Sequence, residues 1–299
     1  MLVKGRALVL FFGSVFIVSF MLQSCLTFRE HPRTIKRYFD LKHVSAEIST
    51  LETHGRTMHY VAAGNPARPM VFFVHGSPGS LSAFLSYLAD STLLDKAYLI
   101  TADRPGFGYS NFGYAEPSLK IQGEILQQLI NQKKANKPVI LVGHSLGGPL
   151  IIQMALDNPG LIDGLIIIAG SLDPELEPDE MWFRAPLATP FLSWILPRSM
   201  RASNDELYQL KPQLEQLIPH YKDVTCPVIV VHGKKDKLVP FENAAFASKM
   251  LTNADVDLVI ADNANHFIPW SHPSMVNRTI LEMVNKVLLK QVATSDTVD

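Results

Sequence analysis

A serine lies in a short segment whose composition would hold its hydroxyl out as a nucleophile, Gly143-His144-Ser145-Leu146-Gly147. The apolar run 138–142 before it is typical of a buried strand, and 148–158 after it carries apolar residues at helical spacing. Glycines two residues before and two after the serine leave room for a sharp reversal between strand and helix. The pattern therefore predicts that Ser145 is exposed at the top of a sheet, beside a helix N-terminus.

A serine hydroxyl needs a base to take its proton, and the base needs an acid to fix its tautomer. Both are expected after the serine, at the carboxyl ends of later strands. His266 lies in a polar loop directly after the apolar run 256–260, and we predict that it is the base. The alternatives are His272, at the start of the last helix, and His232, which ends a strand.

The acid is expected after another strand of the same sheet. Asp236 follows the apolar run 228–231 in a lysine-rich turn, and its spacing favours it as the acid. Asp173, after the run 165–168, is the alternative. Most aspartates in such turns are simply solvated, so the turn by itself does not distinguish a catalytic from a structural role.

The oxyanion of an acyl-transfer intermediate needs N–H donors. We predict that one is the backbone N–H of Leu146, directly after the serine. The other is the N–H of Ser77, in the glycine-rich segment 75–80 that follows the apolar run 70–74. In isolation this segment would be interpreted as a plain turn that leads into a helix.

With these residues the chain resembles the α/β-hydrolase family, from about Leu51 to Val292. The resemblance rests on six segments in family order: 59–64, 75–76, 103–110, 143–147, 232–236 and 265–266. The family's catalytic triad falls on Ser145, Asp236 and His266. The resemblance implies an α/β-hydrolase fold and serine-hydrolase chemistry that needs no metal or organic cofactor.

Particular residues disfavour two branches of that family. Epoxide hydrolases and haloalkane dehalogenases use an aspartate nucleophile, whereas position 145 is serine. Proline iminopeptidases usually carry Gln-Arg-Gly where this chain has Arg104-Pro105-Gly106. We interpret Asp103–Gly106 as a scaffold for the loop beside the oxyanion site rather than as part of the chemistry.

The N-terminus predicts export and membrane attachment. Lys4 and Arg6 precede the apolar segment 7–22, as in a secretory signal, and Leu22-Gln23-Ser24-Cys25 resembles a bacterial lipobox. We predict a signal peptide over 1–24, with lipid attached to Cys25. The alternative is an uncleaved signal anchor. Both place the catalytic domain in the cell envelope, outside the cytoplasm and anchored to a membrane.

Residues 25–45 are predicted to be a membrane tether. Their basic side chains could contact anionic lipid, although a solvated tether is the favoured interpretation; they are Arg29, Arg33, Lys36, Arg37 and Lys42. Lipidation of Cys25 would leave Cys226 without a partner for an intramolecular disulfide, so the core must provide the stability. A formal net charge of −1 gives no indication of a nucleic-acid partner.

One hydrolase domain is predicted over 46–299, beginning with a hairpin of strands 46–53 and 57–63. Further strands are predicted at 70–74, 97–102, 138–142, 165–168, 228–231 and 256–260, with helices at 81–89, 118–133, 147–158, 242–251 and 273–291. Such alternation predicts a mostly parallel sheet with helices on both faces.

The segment 174–224 interrupts that alternation and is rich in proline. It is too long for a plain connection, so we predict a small helical lid over Ser145. Its apolar side chains are Trp182, Phe183, Leu187, Phe191, Trp194 and Ile195. Either they pack within the lid or on the sheet, or one or two of them face the serine as an acyl-binding wall.

Taken together, the sequence predicts a membrane-tethered serine hydrolase that acts on a small carboxylic ester through an acyl-enzyme. Amide, thioester or carbon–carbon bond cleavage by the same triad is the alternative, because the serine turn does not distinguish these bonds. A catalytically silent binding protein on the same scaffold is a further alternative. It is disfavoured because such proteins usually lack a triad member or the oxyanion turn.

Overall fold

The computed structural model describes residues 26–295 of the chain. The predicted signal peptide over 1–24, the predicted lipidation site Cys25 and residues 296–299 lie outside the described residues. Within them, eight strands form one sheet in the order β1-β2-β4-β3-β5-β6-β7-β8. The strands are β1 Ala46–Thr53, β2 Arg56–Ala63, β3 Met70–Val74, β4 Tyr98–Ala102, β5 Val139–His144, β6 Gly164–Ile168, β7 Val228–Gly233 and β8 Val256–Ala261.

The first two strand pairs of the sheet, β1 with β2 and β2 with β4, are antiparallel, and the other five pairs are parallel. This topology confirms the predicted α/β-hydrolase fold class. Strands β3, β5, β6 and β7 are buried along their whole length. Burial on both faces explains why they are near-continuous apolar runs in the sequence.

Helices cover both faces of this sheet. They are α1 Pro32–Leu41, α2 Leu85–Leu88, α3 Ser91–Leu94, α4 Leu119–Lys133, α5 Gly147–Asp157, α6 Met181–Leu187, α7 Arg198–Leu217, α8 Glu242–Met250, α9 Ile268–Ser271 and α10 Pro273–Ser295. Consecutive residues of β3 point into different hydrophobic clusters: Phe72 shares one with Leu150 of α5, and Phe73 shares the other with Ile35 of α1. The helix predicted at 81–89 is divided, because Phe84 leaves the helical conformation between a 3₁₀ turn and α2.

Residues 26–45 are expected to form a solvated tether, but part of this segment folds as a helix that packs on the domain. Helix α1 begins at Pro32, is capped by the His31 side chain, and buries Ile35 and Phe39 almost completely. The spacing of four residues between these two apolar side chains puts them on one helical face, which packs on the sheet. This part of the predicted tether therefore belongs to the folded core.

The segment between β6 and β7 forms the predicted helical insertion. It contains α6 and α7 with three short 3₁₀ turns, at Pro174–Leu176, Ser193–Ile195 and Ile218–Asp223. Helix α7 buries Leu210 and Leu214 against the cluster that also contains Leu150. Between residues 26 and 295, every helix is either too short or too polar to cross a bilayer.

Candidate active site

The site lies where the order of strands in the sheet changes direction. From β3 the chain moves to β4 on one side, whereas β5 pairs with β3 on the other side and later strands continue outward from it. The carboxyl ends of β3 and β5 are adjacent, with Val74 paired to Gly143. Open α/β sheets bind ligands at such a switch point, because the loops diverge there and leave a crevice.

The turn after β5 holds Ser145 in a strained conformation. Its φ is +56°, which is uncommon for a residue with a side chain. A Cβ atom on Gly143 would lie 2.3 Å from the carbonyl oxygen of Gly147, so the reversal requires glycine there. The Ser145 N–H donates to the Ile168 carbonyl on β6 at 2.9 Å, which fixes the turn to the sheet.

Asp236 and His266 meet in the loops after β7 and β8. The His266 Nδ1–H donates to Asp236 Oδ2 at 2.8 Å, and both side chains are buried. Asp236 Oδ1 accepts the backbone N–H groups of Leu238 and Val239, each at 2.9 Å. Burial by itself would raise the pKa of Asp236, but the adjacent His232 ring and the hydrogen bonds from His266 and Val239 hold that pKa well below its usual range. The carboxylate is therefore ionised and oriented toward the imidazole.

The alternative residues take other roles. Asp173 Oδ1 accepts the Glu175 N–H at 3.0 Å and caps a 3₁₀ turn. His272 lies on the surface, with Nδ1 2.8 Å from Ser271 Oγ. His232 Nε2 donates to the Val239 carbonyl at 3.1 Å, so it supports the Asp236 loop.

Ser145 and His266 line the same two cavities, and their loops are joined by His144, a residue outside the predicted triad. His144 Nε2–H donates to the His266 carbonyl at 3.0 Å. Burial and the neighbouring His266 lower the pKa of His144 to about 3, so its ring is neutral and keeps this bond. In the described chain Ser145 Oγ makes no hydrogen bond to His266, and such bonds often form only once substrate is bound.

The two predicted oxyanion donors flank the serine. Leu146 is the N-cap of α5, and Ser77 follows the end of β3. Neither backbone N–H donates to another group within residues 26–295. A Cβ on Gly76 would lie 2.9 Å from Ser145 Cβ, which shows how closely this turn approaches the serine. Both N–H groups are thus free to donate to a bound oxygen.

Arg104 is buried beneath the turn that carries Ser77. Its Nε donates to the His75 carbonyl at 2.8 Å, and its Nη2 donates to the Gly76 carbonyl at 3.0 Å. It also forms a buried ion pair with Glu206 of α7. These contacts agree with the interpretation of Asp103–Gly106 as a scaffold, whereas no pattern in the sequence indicates Glu206.

Two cavities, of about 760 Å³ and about 650 Å³, meet beside Ser145. Both are lined by Ser77, Pro78, Ser145, Leu238 and His266. The first extends along residues 27–30 to Trp270, and the second extends under the lid along residues 177–181 to Arg184. Within the described chain, no group of three His, Cys, Asp or Glu side chains is placed to hold a metal ion.

The six apolar lid residues line neither of these cavities. Trp182 and Phe191 are instead 80% and 82% exposed. The lid wall beside the serine comes from Met181, at the start of α6, together with Leu207 and Leu210 of α7. The lid residues that line the cavity are therefore different from the six apolar residues that the sequence suggested.

Comparison with known sequences agrees with this geometry. The family model described as "Alpha/beta hydrolase family" matches residues 71–279. Palmitoyl-protein thioesterase ABHD10, mitochondrial, of Rattus norvegicus is 31% identical over 180 residues, which cover 56% of this chain and 58% of that protein. Protein ABHD8 of Homo sapiens is 25% identical over 249 residues, covering 74% of this chain and 56% of that protein. The chain spans little more than half the length of these two relatives.

Solved structures show the same fold. A presumed lipase (lip1) from Acinetobacter baumannii superposes with a TM-score of 0.71 at 17% identity, covering 86% of this chain and 96% of that one. A bacterial membrane phospholipase A superposes with a TM-score of 0.63 at 18% identity, covering 96% of this chain and 97% of that one. Identities this low establish the fold alone. Because the family match extends over residues 71–279, more than half of the sequence, the chain belongs to the alpha/beta hydrolase family.

Proposed function

We propose that this hydrolase is a membrane-tethered serine enzyme that cleaves carboxylic esters through an acyl-enzyme intermediate. Ser145 Oγ attacks the carbonyl carbon while His266 Nε2 takes the hydroxyl proton. Asp236 holds the imidazole in the correct tautomer and stabilises the imidazolium that forms. The carbonyl oxygen becomes an oxyanion that accepts the N–H groups of Ser77 and Leu146.

The tetrahedral intermediate then collapses to an acyl-enzyme, which water hydrolyses. The carbon–oxygen bond to the alcohol breaks, His266 gives its proton to the leaving oxygen, and the acyl group stays on Ser145. Water then loses a proton to His266 and attacks the acyl carbon. Ser145 Oγ leaves with the proton from His266, so the acid is released and the enzyme is restored.

One observation carries this proposal, namely the junction of two cavities beside Ser145, His266 and two unbonded N–H groups. An ester carbonyl has two arms, an acyl chain and an alcohol, and each arm needs its own space. Each cavity falls within the range of about 300–1,000 Å³ that is usual for small-molecule sites. The pair therefore suits a substrate with two arms.

Surface properties support the membrane part of the proposal. Apolar side chains at the cavity mouths are exposed: Phe28, Met181, Leu238, Phe267 and Trp270. Basic residues on the outer side of α1 are exposed as well: Arg33, Lys36 and Arg37. Exposed apolar groups and exposed basic groups both favour contact with an anionic lipid surface, although Lys36 is paired with Asp40.

The anchor is tested on the full chain made in a bacterial host. Mass spectrometry of the membrane fraction should find a mature protein that begins at an acylated Cys25. Cys25→Ser should abolish acylation and leave the apolar segment 7–22 attached. An unmodified N-terminus with that segment retained would support the signal anchor, and full recovery in the aqueous fraction would refute tethering.

The nucleophile is tested with a fluorophosphonate probe and a short-chain aryl ester. Wild-type protein should be labelled at Ser145, and Ser145→Ala should lose both labelling and several orders of magnitude in turnover. Ser171→Ala is the matched control, because Ser171 lines the second cavity but donates to Glu177. Unchanged turnover in Ser145→Ala would refute the mechanism.

A thioester is the second candidate substrate, because the relative matched at 31% identity is named a palmitoyl-protein thioesterase. The bond is identified by comparing an oxygen ester, a thioester and an amide with the same acyl group. A higher kcat/KM for the thioester would favour thioester hydrolysis. Preference for the amide would favour the amidase alternative.

A further inference from the structure

All five N–H groups of the Arg104 guanidinium have partners. Nε and Nη2 donate to the carbonyls of His75 and Gly76. Nη1 donates to Gln122 Oε1 at 2.8 Å, and Nη1 and Nη2 donate to Glu206 Oε1 and Oε2 at 2.5 and 3.1 Å. The planar guanidinium, which presents five donors in a rigid arrangement, therefore joins three segments that are distant in sequence.

The bond to the Gly76 carbonyl acts on the predicted oxyanion donor. The Gly76 C=O and the Ser77 N–H belong to one planar peptide group, and the bond between these residues is trans. In a trans peptide the carbonyl and the N–H point in opposite directions. Fixing the carbonyl against Arg104 therefore fixes the direction of the Ser77 N–H. Donation to the carbonyl also polarises the peptide, which strengthens the N–H as a donor.

Glu206 fixes the other side of the guanidinium. It lies on α7 of the lid, 102 residues from Arg104 in sequence, and both side chains are almost completely buried. Gln122 of α4 donates to Glu206 Oε1 at 2.8 Å, so the carboxylate is itself held in place. A buried ion pair with all its hydrogen bonds made keeps one geometry, because any displacement would leave a charge unpaired.

We propose that Arg104 is a positioning residue for catalysis, which aims the Gly76–Ser77 peptide at the oxyanion and is itself held by Glu206 of the lid helix. The inference rests on the proposed serine-hydrolase function. Arg104 acts through the peptide and touches no reacting atom. The lid is thereby coupled to transition-state stabilisation as well as to the shape of the cavity.

The main test is Arg104→Lys in the full chain. Lysine keeps the charge but cannot reach two carbonyls and a carboxylate together. We expect kcat to fall by about 10²–10³, as on loss of one oxyanion donor, with KM changed less than about threefold. The affinity for a trifluoromethyl ketone, whose adduct with serine carries an oxyanion, should fall by a similar factor. A purely structural role would leave the kcat of correctly folded molecules unchanged.

The number of folded sites is counted by the final extent of fluorophosphonate labelling, and kcat is expressed per labelled site. Asp163→Ala, which removes the acceptor, is the matched control for lost stability. Asp163 accepts the Val139 N–H at 2.8 Å at the start of β5, the opposite end from the site. It should lower the melting temperature without lowering kcat per site.

Glu206→Gln provides an independent readout if Arg104→Lys does not fold. It keeps the side-chain shape, and we expect a kcat loss of about 10-fold with little change in KM. If either folded variant kept both the wild-type kcat per site and the wild-type affinity for the ketone, the role of Arg104 would be overturned. Absence of Ser145 labelling in the wild-type chain would instead refute the proposed function on which the inference rests.

Discussion

The two sides of the candidate site hold their geometry with opposite charges. On the acid–base side, the buried carboxylate of Asp236 accepts hydrogen bonds from His266 and two backbone N–H groups. On the oxyanion side, the buried guanidinium of Arg104 donates to two backbone carbonyls. Each charge is buried where the backbone offers groups of complementary polarity. A charge without such partners would cost several kcal/mol to bury.

The two sides differ in how far along the chain their partners lie. Asp236 and His266 are 30 residues apart, on loops that follow adjacent strands. Arg104 and Glu206 are 102 residues apart and join the sheet to the lid. The acid–base side therefore depends on the sheet, whereas the oxyanion side depends on how the lid packs.

The largest expected effect is on the acid–base side. Asp236→Asn should lower kcat by about 10⁴, because an amide cannot hold the imidazole in the productive tautomer or stabilise the imidazolium. The fold should persist, since the amide oxygen can still accept the Leu238 and Val239 N–H groups. Asp173→Asn is the matched control and should keep wild-type kcat. The reverse outcome would assign the acid to Asp173.

On the oxyanion side, Gly76→Ala should lower kcat by about 10² or more. The new Cβ would approach Ser145 Cβ within 2.9 Å, so the turn must shift and carry the Ser77 N–H with it. Gly160→Ala is the control, because Gly160 also stands in a turn, at φ +80°, with no atom near a new Cβ. Gly160→Ala should lower the free energy of unfolding but leave kcat unchanged. Equal kcat in both variants would contradict a role for the turn.

A smaller effect is expected at the mouth of the first cavity. Trp270 is half-exposed and its ring centroid lies 5.5 Å from that of His144. Trp270→Ala should raise KM for a long-chain ester by about 10-fold, because the acyl chain would lose contacts equivalent to about two buried methylene groups. The KM for an acetyl ester should stay unchanged. Leu289→Ala, which removes an exposed side chain of α10, should change neither KM. Equal changes in both KM values would show that Trp270 does not contact the acyl chain.

The smallest expected effect is an acid sensitivity of stability, measured as the free energy of unfolding. The pKa of His144 is about 3 in the folded chain, below the usual 6.5 of an unfolded histidine. Between these values the unfolded state binds more protons, so the unfolding free energy should fall as pH drops from 6.5 to 3, by up to about 1.4 kcal/mol per pH unit. His144→Gln should flatten this slope in urea unfolding, whereas a change at exposed His54 should not. An unchanged slope in His144→Gln would show that another group controls it.

Much of the architecture could be predicted from local pattern. The apolar runs predicted the five central strands β3 to β7 within about two residues, because a strand buried on both faces has no polar positions to obscure it. Residues 143–147 predicted the turn at Ser145, since the steric demand for glycine there is local. The sequence also singled out Asp236 and His266, and the structure joins them by a hydrogen bond, because loops that follow neighbouring parallel strands emerge at one edge.

What only the tertiary structure decided depends on contacts between distant residues. The bond from His144 to the His266 carbonyl and the Arg104–Glu206 ion pair have no periodic or motif signal in the sequence. A buried charge or donor must be hydrogen-bonded by whichever group packs against it. The partners of these polar groups are therefore set by the folded structure and not by local sequence. The sequence determined which groups could do chemistry, and packing decided how they are held.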